Sequence, residues 1–388
     1  MKKKKIAIFI ISLCSGGAER VVSILLNHLK DDFDTHLVLL QPIIEYQIPD
    51  NQQITVLDKN PSNNPFINIL KIPFLAFRYY RFLKKNSIDT SFSFLNRPNF
   101  IAGFLKIFTW KGKVILSERS LTSEYYSTKK LGDRIGRLLV KKFYPNADVI
   151  VCNSNYIETD LRNIFNVQTN YNVIYNPIDL AAIEQKIKQD TSPRIKTGKP
   201  FTFISVGRLN HIKNHVMLIE AAFLLKDLNC QIQILGRGEL KETLDSYVIA
   251  TGLKERVKII NYTTNPFEYL ARADCFVLTS NFEGFPNVHL ESLACKLPII
   301  STDCKGGIRE LLTPSLPLNK PPLTDEFFLG EYGILVPVAN ARLLAEAMKK
   351  IFDNNSLLQA YRSKNYDRAR NFDVSIIMNS FKRLLIDT

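Results

Sequence analysis

The feature that most constrains the fold is a strand–glycine–helix signature that occurs twice. Ile6–Leu13 is an almost unbroken apolar run, Ser15-Gly16-Gly17 follows, and Glu19–Leu29 then repeats apolar residues at helical spacing. A strand without polar alternation must be covered on both faces, which is the condition of a parallel sheet flanked by helices. The glycines let backbone N–H groups approach an anion at the helix N-terminus, although a simple tight turn would use the same residues. The signature returns at Phe201–Val206, followed by Gly207-Arg208-Leu-Asn-His-Ile-Lys213-Asn214 and a further helix. Strand-like runs recur at Thr35–Leu40, Asp89–Phe94, Lys113–Ser117, Val149–Asn153 and Tyr171–Tyr175 in the first half. The second half repeats them at Gln231–Leu235, Val257–Ile260, Cys275–Thr279, Pro298–Thr302 and Gly333–Pro337. The expected fold class is α/β, with two doubly wound parallel sheets.

A chain of 388 residues is long for one core and comfortable for two. The expected domains are 1–180 and 201–372, joined by a polar, lysine-rich linker at 181–200 that carries Pro193 and Gly198, with a last helix over 373–388. Pro314, Pro317, Pro321 and Pro322 make Thr313–Leu323 a loop expected to gain order with a ligand. Met-Lys-Lys-Lys-Lys before the first strand imitates a secretory leader but lacks a cleavage site, so a basic lead into a strand is the better reading. No apolar run reaches the ~18 residues needed to span a bilayer, so a soluble or peripheral protein is expected. The six cysteines show no CxxC and no regular spacing, as expected of reduced, buried thiols in a cytoplasmic protein.

The formal net charge of +14 is uneven: residues 1–180 hold 24 Lys/Arg against 15 Asp/Glu, and the remainder 27 against 22. Such an excess points to an anionic lipid surface, a diphosphate-bearing substrate or nucleic acid. No zinc pattern, RNP motif or helix-turn-helix supports the last. Two segments are basic and aromatic at helical spacing. Phe66–Lys85 carries Lys71, Arg78, Arg81, Lys84 and Lys85, and Leu131–Tyr144 carries Arg134, Arg137, Lys141 and Lys142. Each is either an interfacial helix on an anionic leaflet or a core helix with a solvated cationic face. Pro73 argues against one unbroken helix in the first.

Chemistry concentrates in the second half. Glu283-Gly-Phe-Pro-Asn-Val-His-Leu-Glu291 places one carboxylate on a loop after an apolar strand and the other in the next helix, with Asn287 as its expected cap. In isolation such a pair is a solvated loop residue and a surface helix residue; together the two carboxylates can grip a polyhydroxylated ligand. Arg208 and Lys213, five residues apart on a loop entering a helix, suit a diphosphate. Gly236-x-Gly238 lacks the third glycine of a dinucleotide fingerprint, which demotes hydride transfer. Metal sites look poor: the five histidines are scattered, and Asp32-Phe-Asp34 sits in a turn. No Ser-His-Asp or Cys-His arrangement can be read.

Gly16-Gly17-Ala-Glu-Arg, Gly207-Arg208…Lys213-Asn214 and Glu283-Gly-Phe-Pro…Glu291 occur in that order, each opening an α/β unit. Together they resemble a retaining glycosyltransferase of the GT4 family over essentially the whole chain. Within that family the sequence is similar to bacterial N-acetylgalactosaminyltransferases that extend polyprenyl-diphosphate-linked oligosaccharides. The likeness lies in Ile8-Phe-Ile-Ile-Ser-Leu-Cys-Ser-Gly-Gly-Ala-Glu-Arg-Val-Val22, Phe94-Leu-Asn-Arg-Pro-Asn99, Ser205-Val-Gly-Arg-Leu209 and Glu291-Ser-Leu-Ala-Cys295.

The resemblance implies the GT-B architecture, two Rossmann-like domains facing a cleft, with the C-terminal helix crossing back to the first domain. It implies that Arg208 and Lys213 hold the donor diphosphate and neutralise charge as it leaves, without a metal or other cofactor. Glu283 would contact donor-sugar hydroxyls, Gly284 and Phe285 would present backbone amides, and Glu291 would bind the ribose. Gly16, Gly17 and Gly207 would let backbone approach the donor. The implied activity moves an N-acetylhexosamine, with N-acetylgalactosamine the first choice, from a UDP-sugar to a polyprenyl-diphosphate-linked saccharide in bacterial glycan assembly and protein glycosylation. The enzyme would work peripherally on the inner face of the cytoplasmic membrane. Hexosyl transfer from another UDP- or GDP-sugar in capsule, O-antigen or exopolysaccharide synthesis is the alternative. Many relatives carry a histidine where this chain has Arg119, so Glu118 or Arg119 would serve the acceptor instead. A non-catalytic protein keeping the fold would be expected to have lost some of Arg208, Lys213, Glu283 and Glu291.

Overall fold

A computed structural model describes residues 3–14, 16–62, 64–188 and 200–386. The chain divides into two compact units, Met1–Pro177 with Val374–Thr388, and Ile178–Asp373. In the first, β1 (Lys5–Ile10), β2 (Asp34–Leu39), β3 (Gln53–Val56), β4 (Thr90–Phe94), β5 (Lys113–Glu118), β6 (Val149–Cys152) and β7 (Tyr171–Val173) form one sheet. Its order is β3-β2-β1-β4-β5-β6-β7, and every pairing is parallel. In the second, β8 (Phe201–Val206), β9 (Cys230–Gly236), β10 (Val257–Asn261), β11 (Cys275–Leu278), β12 (Ile299–Thr302), β13 (Phe328–Leu329) and β14 (Ile334–Val336) run in the order β10-β9-β8-β11-β12-β14-β13. Only the β13–β14 pair is antiparallel among the described strands. The doubly wound expectation holds in both units.

Each order reverses beside its first strand: β1 pairs with both β2 and β4, and β8 with both β9 and β11. Connections leave in opposite directions at such a switch point, so the loops after the two central strands splay apart and leave a crevice at the strand C-terminal ends. The glycine turns flagged by sequence follow β1 and β8.

The first core packs Ile6, Ile8, Ile10, Phe92 and Phe94 against Val21, Val22, Leu25 and Leu26 of helix Gly17–Leu29. It also takes Ile377, Met378, Phe381 and Leu385 of helix Val374–Ile386, so the end of the chain completes the core of the first unit. Lys113 Nζ and Lys4 Nζ donate to the Leu384 and Leu385 carbonyls at 3.0 and 2.9 Å, satisfying acceptors at that helix terminus.

Two expectations need correction, and one holds. Residues 181–188 of the expected linker lie in a helix (Leu180–Lys188) that packs in the second unit against helices Phe267–Leu270 and Asn287–Ala294; 189–199 lie outside the described residues. The proline-rich loop is ordered by protein alone. Buried Arg309 pairs with Asp303 at 2.6 and 2.7 Å and donates to the carbonyls of Pro317, Lys320 and Pro321. As Pro73 argued, Phe66–Lys85 is not one unbroken helix but two, Pro65–Leu70 and Ile72–Lys85, with Lys71 at the junction.

Candidate functional site

The second unit brings two of its flagged residues, Lys213 and Glu283, into contact through neighbouring strand ends. β8 runs into Gly207–Asn214, which crosses the crevice before helix His215–Leu224. The loop is closed by two interlocked glycine turns. The Gly207 N–H donates to Leu235 at 3.0 Å, and a Cβ on Gly236 would lie 1.9 Å from the Gly207 carbonyl oxygen. Gly236-x-Gly238 is therefore a close-packing device for the diphosphate-type loop, not half of a dinucleotide cradle.

The far end of the loop is stitched to the segment after β11. The Thr279 hydroxyl donates to the Lys213 carbonyl at 2.9 Å, and the Asn281 N–H donates to Ile212 at 2.8 Å. Glu283 is held from the other side, its N–H donating to Lys305 at 3.0 Å, while the Gly307 N–H reaches the Gly284 carbonyl at 2.7 Å. Three adjacent strand ends, after β8, β11 and β12, thus fix two side chains. Lys213 Nζ lies 2.5 Å from Glu283 Oε1, and both side chains are largely buried. The Ser280 hydroxyl donates to the same oxygen at 2.6 Å. Glu283 Oε2 takes no hydrogen bond from the described residues. The Lys213 stem packs 3.3–3.5 Å from the place a Gly207 Cβ would take, so the lysine lies along the loop that presents Arg208. Arg208 itself is exposed.

Phe285 is buried against Phe372, its ring 5.5 Å away, and so supports the loop. Glu291 is buried in helix Asn287–Ala294, which excludes the solvated-surface reading. The expected cap is corrected: Pro286 precedes the helix without a side-chain cap, and Asn287 is its first residue. Sequence reasoning missed Ser280 and two histidines. His215 and His289 are 1 and 0 % exposed, and neither ring has a hydrogen-bond partner among the described residues. Burial, reinforced by the Lys213 charge, pushes each down to about 3 and keeps both rings neutral.

In the first unit, Gly16 precedes helix Gly17–Leu29 with an extended backbone. The Glu19 carboxylate folds back there: a Cβ on Gly16 would lie 2.1 Å from its Oε2. An anion of the protein already occupies this helix N-terminus, which counts against the Gly16-Gly17 turn as a phosphate cradle. Glu118 and Arg119 are buried in structural networks. Glu118 accepts from the Tyr144 hydroxyl at 2.7 Å and from the Arg119 and Ser120 backbone, yet burial raises its pKa. Arg119 donates to Ser117 and Asn176 at 2.8 Å and lies over the Phe94 and Phe381 rings. Burial lowers its pKa to about 10. Both serve the packing of the first unit, and the expectation that they meet an acceptor is set aside. Asp32 of the formal Asp-x-Asp pairs with Lys382 at 2.6 Å.

Lys71 is also spoken for, paired with Asp58 at 3.1 Å beside Arg97. Arg78 and Lys84 lie over the Phe74 and Tyr80 rings, while Arg81 and Lys85 are exposed. The same surface exposes Leu70, Phe74 and Phe77 by 80, 61 and 47 %, and Phe66 and Ile67 as well. No described helix is long and apolar enough to cross a membrane.

Residues 15–182 match the family described as Glycosyltransferase Family 4, and residues 186–368 match Glycosyl transferases group 1. Over 98 % of this chain and the whole of the relative, the sequence is 37 % identical to a Campylobacter jejuni protein. That protein is named N-acetylgalactosamine-N,N'-diacetylbacillosaminyl-diphospho-undecaprenol 4-alpha-N-acetylgalactosaminyltransferase. A second protein of that organism, named as an alpha-1,4-N-acetyl-D-galactosaminyltransferase acting on a GalNAc-containing undecaprenol-diphosphate saccharide, is 25 % identical over 99 % of this chain and 98 % of its own. The crystal structure of Anabaena HepE with UDP superposes with a TM-score of 0.77 at 18 % identity, covering 99 % of this chain and all of that one.

Proposed function

Because the chain belongs to the group 1, family 4 glycosyltransferases and has their GT-B fold, we propose that it moves N-acetylgalactosamine from its UDP derivative onto a polyprenyl-diphosphate-linked saccharide, with retention and without a metal. The observation that carries this reading is the pairing of Lys213 with Glu283 at the switch point of the second sheet, beside Arg208. Breaking the bond between a sugar and a diphosphate builds negative charge on the leaving phosphate and positive charge at the anomeric carbon. Arg208 and Lys213 meet the first, Arg208 as a fork and Lys213 as a point charge. Glu283 Oε2 accepts a hydroxyl of the donor sugar, and Glu291 serves the ribose. The leaving phosphate itself helps deprotonate the acceptor, so no further base is required.

The choice of N-acetylgalactosamine and of the lipid-linked acceptor draws on the two Campylobacter relatives. The mixed apolar and cationic surface of helices Pro65–Leu70 and Ile72–Lys85 supports work at an anionic leaflet on the cytoplasmic side. The test is UDP release in EDTA from a panel of UDP- and GDP-sugars, with and without a short polyprenyl-diphosphate-linked saccharide. Acceptor-dependent release from UDP-N-acetylgalactosamine is expected. Release only from another sugar nucleotide would replace the donor, and loss of activity in EDTA would overturn metal independence.

A further inference from the structure

We propose that Glu283 is the built-in counter-anion of Lys213, and that it sets the site to prefer an intact sugar nucleotide over the spent nucleoside diphosphate. The inference rests on the donor reading above and adds a role in selectivity and product release. Lys213 Nζ and Glu283 Oε1 are 2.5 Å apart, with side chains 17 and 12 % exposed, so little solvent screens them. The nearby Asp303 is committed to Arg309 through both of its oxygens. His215 and His289, both influenced by the Lys213 charge, are neutral. Glu283 is therefore the carboxylate that balances Lys213.

A diphosphate entering this site meets a lysine whose charge is already largely cancelled, and a carboxylate that repels it. The carboxylate cannot simply rotate away, because Ser280 and Lys213 both hold Oε1. Oε2 has no hydrogen bond from the described residues and is the atom through which a sugar compensates. A hydroxyl donated to a carboxylate is a charge-assisted bond, and it offsets the repulsion only while the sugar is attached. Once the sugar has moved to the acceptor, the nucleotide faces the same carboxylate without that bond, and leaves.

Titration calorimetry of UDP and UDP-N-acetylgalactosamine with full-length protein tests this, using wild type, Glu283→Gln, Lys213→Ala and the double variant. Glu283→Gln is expected to bind UDP about five- to twenty-fold more tightly at low salt, less so at high salt, while UDP-N-acetylgalactosamine gains nothing. The gain should shrink in the Lys213→Ala background, because the part that comes from freeing the lysine is lost and only the part from the carboxylate's own repulsion remains. Unchanged or weaker UDP binding by Glu283→Gln, or an equal gain with and without Lys213, overturns the inference. Wild-type protein that binds no uridine nucleotide overturns the donor reading instead. Thermal unfolding checks that each variant folds, and Glu283→Ala replaces Glu283→Gln if the amide does not.

Discussion

Gly306 decides where Glu283 stands. Its φ of +128° is a conformation that residues with a Cβ rarely adopt, and an added Cβ would lie 1.9 Å from the Glu283 carbonyl oxygen. Gly306→Ala should displace Glu283 by enough to cost transfer about a hundredfold, with KM for the donor raised; near-wild-type kinetics would mean the loop is not fixed by this contact. The buried histidines make a pH prediction. Folded, each has a pKa near 3 against an ordinary 6.5, so the unfolded chain binds the extra protons. Above pH ~6.5 the rings are neutral in both states; as pH falls from there toward 3 the unfolded chain takes up protons that the fold refuses, and stability is lost at up to ~1.4 kcal/mol per pH unit for each ring. Urea midpoints of the second unit should fall from pH 7 to pH 5, and His289→Leu should remove about half of that slope. Equal slopes would mean that the native ring is solvated. Arg208, Lys213, Glu283 and Glu291 were picked out in the sequence by the order of three motifs that together resemble a family, since Glu283 and Glu291 alone read as ordinary solvated residues. Ser280 was not, since its meaning depends on sharing Oε1 with a lysine distant in the chain, and nothing local marks the histidines as unpartnered.

Among elements, the strands buried on both faces were legible because burial forces an apolar run. β3 was missed for the opposite reason: it is an edge strand with Gln53 and Ile54 exposed, and only its pairing with β2 makes it a strand. The linker misled because a helix packed on one side, with only Leu180 and Ile183 buried, has the polar composition of a connector. The segment Phe66–Lys85 left two readings open, and the structure shows a core-facing stripe on its second helix with apolar and cationic side chains left exposed elsewhere. Helix Ile72–Lys85 buries Ile72, Leu75, Ala76, Tyr79 and Leu83 in the first unit while turning Phe74, Phe77 and Arg81 outward. With each cation near an anionic leaflet worth ~1 kcal/mol, the double charge reversal Arg78→Glu and Arg81→Glu should weaken binding to phosphatidylserine-containing vesicles at least ~tenfold at low salt. Leu70→Ser with Phe74→Ser should weaken it at all salt concentrations, as apolar insertion is not screened. Vesicle binding that ignores both pairs would remove this surface from the membrane-facing role.

At the scale of the whole molecule, a single helix decides how the chain's stability is partitioned. The sequence is written as unit one, unit two and a tail, but the first unit is finished only when Val374–Ile386 returns to it. Val374, Ile377, Met378, Phe381, Leu384 and Leu385 all belong to its core, and Phe381 meets Phe92 at 6.1 Å between ring centroids. Arg119 lies between Phe94 and Phe381, and Lys382 pairs with Asp32, so polar contacts fix the register of the same helix. At ~1.5–3 kcal/mol for each fully buried apolar side chain, removing these six costs about as much as a domain's entire stability of ~5–15 kcal/mol. The second unit has its own core, built from residues of 178–373. A chain ending at Asp373 should therefore lose the cooperative unfolding of the first unit and expose apolar surface to a hydrophobic dye. The second unit should keep its own transition. Phe381→Ala should lie between the two, lowering the first transition alone. If truncation lowers both transitions equally, the two cores do not unfold independently, and the helix stabilises the molecule as one cooperative body.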